Sequence, residues 1–189
     1  MDFQAVFIAG PQGSGKGTQG KRLADKLGFL FWGMGGILRE MKADPEFARR
    51  TALSDQGTLL PDEIIIEIVQ ERLATVPHDQ GIVFDGVPRR IGQAQFLVNF
   101  LHERGVKDIA TVFIELPRED AIKRLTLRAE TEGRVDDTID AIERRFGYYD
   151  ETMPAVITYL KHETGFFEIN GQPPPDEVEK NIDIALGIG

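Results

Sequence analysis

The sequence predicts an α/β fold in which five parallel strands form a doubly wound sheet with helices on both faces. Five short apolar segments, each of the length of a buried strand, alternate with helical patterns along the 189 residues. A glycine-rich loop stands between the first apolar segment and the helix that follows it. Strands that alternate with helices favour a parallel sheet with right-handed crossovers, and ligands bind such sheets beyond the carboxyl ends of the strands.

The first strand and the first helix enclose a loop at 10–19, which reads GPQGSGKGTQ. The apolar run 5–9 predicts a buried strand, and residues 21–27 predict an amphipathic helix. The pattern G-x-x-x-x-G-K ends at Lys16 and is typical of a phosphate-binding loop when a strand precedes it and a helix follows. Glycines let the backbone aim several N–H groups at one anion, and the lysine adds a full charge. The next residue is glycine, so the hydroxyl comes one place later than in the general pattern, at Thr18, where a phosphate or Mg²⁺ is within its reach.

The later elements continue the alternation of strand and helix. Apolar runs predict strands at 29–32, 81–85, 109–116 and 165–169, and helical periodicity predicts helices at 37–42, 45–55, 61–74, 91–104, 119–128, 138–162 and 176–186. The helix at 61–74 has a proline near its first turn and branched apolar residues at helical spacing. The length fits a single domain that covers residues 1–189.

Composition excludes several classes of function. The formal net charge of −9 argues against broad nucleic-acid binding. The absence of cysteine excludes disulfides and cysteine-based zinc sites, and it suits a reducing cytoplasm. The first residues carry no basic and apolar leader, and no apolar run approaches the roughly 20 residues of a membrane span. We therefore expect a cytoplasmic protein with no membrane or nucleic-acid partner.

The end of the third predicted strand carries polar residues that suit a bound nucleotide. Asp85 ends the strand, where a carboxylate beside a phosphate loop can hold Mg²⁺ through water. Gly86 allows a ligand to approach the backbone, and the planar fork of Arg89 suits a phosphate. The amide of Gln93 can donate and accept at once, which suits the edge of an adenine. An ordinary turn and an exposed helix residue are the alternatives for this segment.

The segment after the second strand is informative because it lacks a carboxylate. Residues 33–36 read GMGG, and the first charged residue after them is Arg39. Kinases that phosphorylate a hydroxyl usually need a carboxylate to orient it or to take its proton. An acceptor that is already a phosphate anion needs cations instead.

Four arginines in the second half of the chain can supply that positive charge. Arg124 and Arg128 are four residues apart on one predicted helix and so share a face. Arg134 follows after a predicted five-residue loop at 129–133, and Arg145 lies on the next helix. The alternative is that these arginines form a solvated surface.

Taken together, these motifs resemble the adenylate kinase and nucleoside monophosphate kinase family over essentially the whole chain. The matching parts are the loop 10–19, the segment FDGVPR at 84–89, Gln93, Arg124, Arg128, the segment GRVDD at 133–137, and Arg145. The glycine after the loop lysine is the form that this family's loop takes. The resemblance implies a P-loop NTPase fold with a small acceptor-binding helical region at about 33–62 and a short lid at about 128–137.

The resemblance also implies a reaction and its residues: reversible transfer of the γ-phosphoryl group of ATP to AMP by a monomer, with Mg²⁺ and without structural zinc. The residues implied for ATP binding are Gly13, Ser14, Gly15, Lys16, Gly17, Thr18, Arg124 and Gly171. The residues implied for AMP binding are Met34, Arg39, Leu60, Gly86, Arg89, Gln93, Arg134 and Arg145. The residues implied for catalysis are Lys16, Arg89, Arg128, Arg134 and Arg145, with Asp85 serving Mg²⁺ through water.

Two positions depart from the family pattern. Adenylate kinases typically read Ser-Thr-Gly-Asp/Glu after the second strand, whereas this chain has Met34 in place of the hydroxyl and Gly36 in place of the acidic residue. Two further functions therefore stay open: a kinase for another nucleoside monophosphate such as UMP or CMP, and a nucleotide-binding regulatory protein with a degenerate acceptor site.

Overall fold

The computed structural model describes residues 3–51, 60–132 and 138–188. Their strands are β1 (Ala5–Ala9), β2 (Leu30–Gly33), β3 (Ile82–Asp85), β4 (Ile109–Glu115) and β5 (Gly165–Asn170). Their helices are α1 (Lys16–Leu27), α2 (Met34–Met41), α3 (Pro45–Thr51), α4 (Asp62–Leu73), α5 (Ile91–Glu103), α6 (Arg118–Glu132), α7 (Ile139–Glu163) and α8 (Pro175–Leu186).

The five strands form one parallel sheet in the order β2-β3-β1-β4-β5. This arrangement confirms the predicted doubly wound α/β fold. The register pairs Ile8 of β1 with Asp85 of β3, and Gly33 of β2 with the same Asp85. The carboxyl ends of β1, β2 and β3 therefore lie side by side at one edge of the sheet.

Helices cover both faces of the sheet, as the alternation of buried side chains along β1 requires. Ala5 and Phe7 belong to one apolar cluster, which also holds buried residues of α4, α5 and α7. Val6 and Ile8 point the other way, into a second cluster built with α1 and α8. A strand that is buried on both faces in this way is typical of a parallel sheet. None of the helices in the described ranges combines the length and the apolar character needed to cross a membrane.

Three helix boundaries in the described ranges differ from the predicted ones by three residues or more, and the first is the start of α1, which lies at Lys16 and not at 21. Helix α2 begins directly after β2, at Met34, although the two glycines after it favour a later start. Helix α6 continues to Glu132, so the loop predicted at 129–133 is wrong over 129–132. No glycine or proline interrupts the sequence of this helix, and alanine and glutamate favour its continuation. Helix α3 ends the described range at Thr51, and its predicted continuation to 55 lies outside the described residues.

The first apolar cluster stabilises the scaffold, and Leu97 on α5 tests its contribution. Leu97 is 0% exposed within that cluster. We expect Leu97→Ala to lower the free energy of unfolding by about 2–5 kcal/mol, because it removes buried methyl groups and leaves a cavity. Urea titration followed by circular dichroism measures this loss. Gln95→Ala on the exposed side of the same helix is the control and should change stability by under about 0.5 kcal/mol.

Candidate active site

The glycine-rich loop between β1 and α1 has positive φ angles, which glycine adopts without steric cost. Gly10, Gly13 and Gly15 have φ angles of 136°, 80° and 92°, in the left-handed region. A Cβ at Gly10 would lie 2.3 Å from the carbonyl oxygen of Ile114, and one at Gly13 would lie 2.8 Å from that of Ala121. The loop therefore packs directly on the backbone of its neighbours, and its N–H groups at the start of α1 are oriented for an anion.

Lys16 is the first residue of α1, directly after the loop glycines, and its ammonium group is poorly solvated. Its Nζ donates a hydrogen bond of 2.6 Å to the carbonyl oxygen of Pro11. Burial lowers the pKa of Lys16 to about 8; Asp85 raises it, and the positive charges of Arg89 and Arg128 lower it further. The lysine, the carboxylate and the two arginines all line one cleft, which is described below.

Asp85 lies against the start of α1 in a way that fits a magnesium ion. A Cβ at Gly17 would lie 3.3 Å from Asp85 Oδ2, so the glycine leaves open the space beside the carboxylate. Within the described ranges no group of three or more His, Cys, Asp or Glu side chains could enclose a metal by itself. Mg²⁺ is usually held by one or two carboxylates, waters and substrate phosphates, and the residues present fit that arrangement.

A cleft of about 730 Å³ opens above the carboxyl edge of the sheet and contains most of the predicted site. The predicted residues that line it are Gly13, Lys16, Gly17, Met34, Arg39, Leu60, Asp85, Gly86, Arg89, Gln93, Arg128 and Arg145. They come from the phosphate loop and from elements between 34 and 145. The fold thus brings together positions that are far apart in the chain.

The cationic wall of the cleft is built from Arg89 and Arg145. Arg89 Nε donates a hydrogen bond of 3.0 Å to the carbonyl oxygen of Gly86, whose φ of 82° forms the turn after β3. The guanidinium is exposed to the cleft, but the surrounding protein desolvates it and lowers the pKa of Arg89; Asp85 raises that pKa, and Arg145 lowers it. Arg145 is anchored on α7, where its Nε donates to the carbonyl oxygen of Ala141 at 3.3 Å. Both side chains end in a planar guanidinium group, which suits the recognition of phosphate.

Arg39 also lines the cleft and is exposed. A Cβ at Gly35 would lie 3.5 Å from Arg39 Nη1, and one at Gly36 would lie 4.0 Å from Nη2. The guanidinium therefore extends over the two glycines at the start of its own helix. Met34 also lines the cleft, but it is only 3% exposed and packs mainly in the first apolar cluster.

The amide of Gln93 is buried to 3% exposure and has two partners in the protein. Its Oε1 accepts from the backbone N–H of Arg89 at 2.8 Å, and its Nε2 donates to Asp62 Oδ1 at 2.8 Å. One N–H and one oxygen lone pair of the amide remain, and the residue lines the cleft. An amide held in this way can present one donor and one acceptor to a ligand.

Several predicted residues do not line the cleft. Ser14 is buried within the loop at 2% exposure, Gly15 is the N-cap of α1, and Thr18 is exposed on that helix. Arg124 donates from Nη2 to the carbonyl oxygen of Gln172 at 3.0 Å, beyond the loop. Gly171, which precedes Gln172, packs closely against β4. A Cβ at Gly171 would lie 2.8 Å from the carbonyl oxygen of Glu115. The prediction for Arg134 lies outside the described residues.

Helix α7 contributes cleft residues that the sequence reasoning missed. Tyr148, Tyr149 and Thr152 line the cleft beside Arg145. They follow that arginine by three, four and seven positions, which is the spacing of residues on one face of a helix. This spacing is the sequence signal from which they could have been predicted to line the site. Burial, together with the carboxylates of Asp150 and Glu115, raises the pKa of Tyr149, so its phenol stays protonated.

The sequence analysis also missed a structural role of Gln12 in the loop. Its Nε2 donates to the carbonyl oxygen of Ile142 on α7 at 2.7 Å. This bond joins the phosphate loop to the helix that carries Arg145. No local sequence pattern predicts it, because the two residues are 130 positions apart.

Comparison with known proteins points to one family. The family model described as adenylate kinase matches residues 8–165. An adenylate kinase of Thermus thermophilus is 38% identical over 187 residues, which cover 98% of each chain. An adenylate kinase of Maricaulis maris is 38% identical over 184 residues, covering 96% of this chain and 97% of its own. One of Phocaeicola vulgatus is 35% identical over 183 residues, covering 96% and 97%.

The lowered pKa of Lys16 predicts a pH dependence of ATP binding. Below pH 8 the free protein already carries the charged lysine, and ATP binds at full affinity. Above pH 8 the free lysine loses its proton, so binding must take one up, and affinity falls by up to about tenfold for each pH unit. Calorimetric titrations with ATP at pH 7.5 and pH 9.5 measure the effect.

Lys16→Arg is the control for this prediction, because its guanidinium stays charged over the whole range. Whatever affinity this variant retains should be nearly independent of pH. Equal ATP affinity of the unmodified protein at both pH values would contradict the assignment of Lys16 as the poorly solvated phosphate ligand.

Proposed function

The chain belongs to the adenylate kinase family and is an ATP:AMP phosphotransferase, and we propose that the cleft above the sheet edge carries out this reaction with the residue roles given below. The observation that supports the proposal most directly is that Lys16, Asp85, Arg89 and Arg128 line the same cleft beside the phosphate loop. Such a concentration of positive charge around one carboxylate suits a reaction in which the phosphate chain of ATP and the phosphate of AMP must be held close together.

The donor side is built on the phosphate loop. The loop N–H groups and Lys16 bind the β- and γ-phosphates of ATP, with Arg124 and Gly171 near the donor base. Asp85 would hold Mg²⁺ through water, and a bound ion would supply positive charge to offset that of the phosphates. The lysine gives up part of its contact with Pro11 and gains a better partner, since a phosphate favours its charged form.

The acceptor side lies between α2, the turn after β3 and the start of α5. Arg39 and Arg89 bind the phosphate of AMP, and Gln93 binds its adenine. The packing of Met34 and Leu60 supports this side with apolar surface. Gly86 and Gly36 leave the acceptor phosphate close access to the backbone.

The reaction needs no proton acceptor. An oxygen of the AMP phosphate attacks the γ-phosphorus, the bond from that phosphorus to the β-γ bridging oxygen breaks, and two ADP molecules result. The attacking oxygen already carries negative charge, which is consistent with the absence of a carboxylate in residues 33–36. Arg128, Arg134 and Arg145 neutralise the charge that spreads over the transferring group.

We place a short lid at about 128–137, with an acceptor-binding region at about 33–62. Helix α6 carries Arg128 directly into the lid, because it continues to Glu132. Closure of this segment would bring its arginines onto the phosphates and exclude water. We also propose that the protein acts as a cytoplasmic monomer, because the absence of cysteine suits a reducing cytoplasm and the resemblance to the family implies a monomer.

A coupled assay of acceptor selectivity tests the proposed function. We expect ADP formation from ATP with AMP, and much weaker activity with UMP, CMP and GMP, because Gln93 suits adenine. A preference for UMP or CMP would instead indicate the pyrimidine-directed kinase. ATP binding without turnover of any monophosphate would indicate the regulatory protein.

Arg145 tests the assignment of transition-state stabilisation. We expect Arg145→Ala to lower kcat by about 10²–10³ and to change the KM values much less, because the lost charge acts where negative charge develops. Steady-state kinetics with ATP and AMP separate the two effects. Arg144→Ala is the matched control, since Arg144 is exposed and does not line the cleft. A change confined to KM would mean that Arg145 only binds ground-state phosphate.

A further inference from the structure

We propose that Asp62 is a positioning residue that holds the Gln93 amide in one orientation, and that this orientation makes the acceptor site reject 6-oxopurines in favour of adenine. The inference rests on the proposed function, because it concerns the base of the acceptor nucleotide. It assigns a specificity role to a residue of α4 that does not line the cleft.

The two contacts of Gln93 determine which way its amide points. The backbone N–H of Arg89 can only donate, and it meets Oε1 at 2.8 Å. The carboxylate of Asp62 can only accept, and it meets Nε2 at 2.8 Å. If the amide turned by 180°, Nε2 would face the backbone N–H of Arg89, so that two donors would meet. Oε1 would face the carboxylate of Asp62, so that two acceptors would meet. With the side chain only 3% exposed, water cannot easily relieve these two mismatches.

Asp62 is itself held in place by residues at the start of α5. Arg90 Nη1 lies 3.4 Å from Asp62 Oδ1 and donates to the carbonyl oxygen of Leu60 at 3.2 Å. The Arg90 and Asp62 side chains are 30% and 28% exposed, so the ion pair is partly screened. A Cβ at Gly92 would lie 3.1 Å from Asp62 Oδ2, so the glycine lets the carboxylate approach α5 closely. The start of α4 is thereby joined to the helix that carries Gln93.

The fixed amide offers one arrangement of hydrogen-bonding groups to a base. One N–H and one lone pair of Gln93 are left after the two protein contacts. Adenine presents a donating N6 amino group beside the accepting N1, which matches Oε1 and Nε2 in the observed order. Hypoxanthine, in the same position, presents an accepting O6 beside a donating N1–H, which is the reverse order. An amide free to turn could bind either base, whereas one that is held can bind only adenine.

Inosine monophosphate is the best probe, because hypoxanthine has nearly the size of adenine and differs in just these groups. We expect the unmodified protein to prefer AMP over inosine monophosphate by about a hundredfold or more in kcat/KM, since two buried hydrogen bonds would be mismatched. A preference below about tenfold would overturn the inference.

Asp62→Asn tests the role of the carboxylate. The new amide has nearly the same size but can donate as well as accept, so one of the two mismatches disappears when Gln93 turns. We expect the AMP preference in kcat/KM to fall by about tenfold, mainly through the acceptor KM, while the KM for ATP changes by less than about twofold. Asp62→Ser should act in the same direction, because a hydroxyl also donates or accepts.

Glu63→Gln is the matched control. Glu63 is the next residue in the first turn of α4, it is exposed, and its loss removes the same charge from the start of the helix. We expect this variant to keep the AMP preference of the unmodified protein. Thermal melting followed by circular dichroism identifies the folded variants before the kinetics are compared.

The outcomes separate this inference from the proposed function. If the unmodified protein does not phosphorylate AMP, the proposed function fails. If it phosphorylates AMP but the folded Asp62→Asn and Asp62→Ser variants keep its selectivity, Asp62 only stabilises the start of α4 and the inference is overturned. An equal loss of activity with both acceptors would likewise indicate a structural role.

Discussion

The parallel register between β1 and β3 is the constraint on which the site depends. It places Ile8 opposite Asp85, so the phosphate loop that leaves β1 emerges beside the carboxylate that ends β3. Lys16 begins the helix after the loop, and its ammonium group lies close enough to Asp85 for the carboxylate to raise its pKa. A slip of one residue in this pairing would turn the side chains of β3 to the opposite face of the sheet and move Asp85 away from the loop.

The same arrangement concentrates like charges in the cleft. Lys16 is desolvated and lies near Arg89 and Arg128, and all three effects oppose its charged form. Like charges that face one another in a partly enclosed site cost free energy, which the two apolar clusters of the sheet offset. An anion bound among these groups, as the proposed function requires, would relieve this repulsion, so the unfavourable arrangement favours anion binding. Part of the stability of the fold is thus used to hold the site ready for its ligands.

The acceptor side relies on a different kind of constraint. Here the direction of hydrogen bonds matters more than net charge, because the amide of Gln93 is almost fully buried between a backbone donor and a carboxylate. Charge can attract any nucleotide phosphate, but it cannot distinguish one base from another. A buried amide with both partners satisfied can do so, since a mismatched base leaves polar groups unpaired. In the proposed function, the donor side therefore supplies affinity through charge, and the acceptor side supplies selectivity through the direction of its hydrogen bonds.

Local pattern in the sequence was sufficient to predict the order of the described strands and helices, the glycine-rich loop and the position of Asp85 at a strand end, but not every helix boundary. These features depend on the spacing of apolar residues and on the conformational freedom of glycine, which are properties of neighbouring residues. The predicted end of α6 at 128 was wrong. The helix continues to Glu132, because the residues of the expected loop have a high helix propensity.

Only the tertiary structure decided how distant residues meet. It placed Tyr148 beside the predicted arginine, joined Gln12 to Ile142 across 130 positions, and set the amide of Gln93 against Asp62 across 31 positions. Such contacts follow from how helices pack on the two faces of the sheet, and no local periodicity encodes them. The sequence by itself determined which chemical groups are available at the edge of the sheet, whereas packing determined which of them point at one another, because direction and distance are fixed only when the core closes.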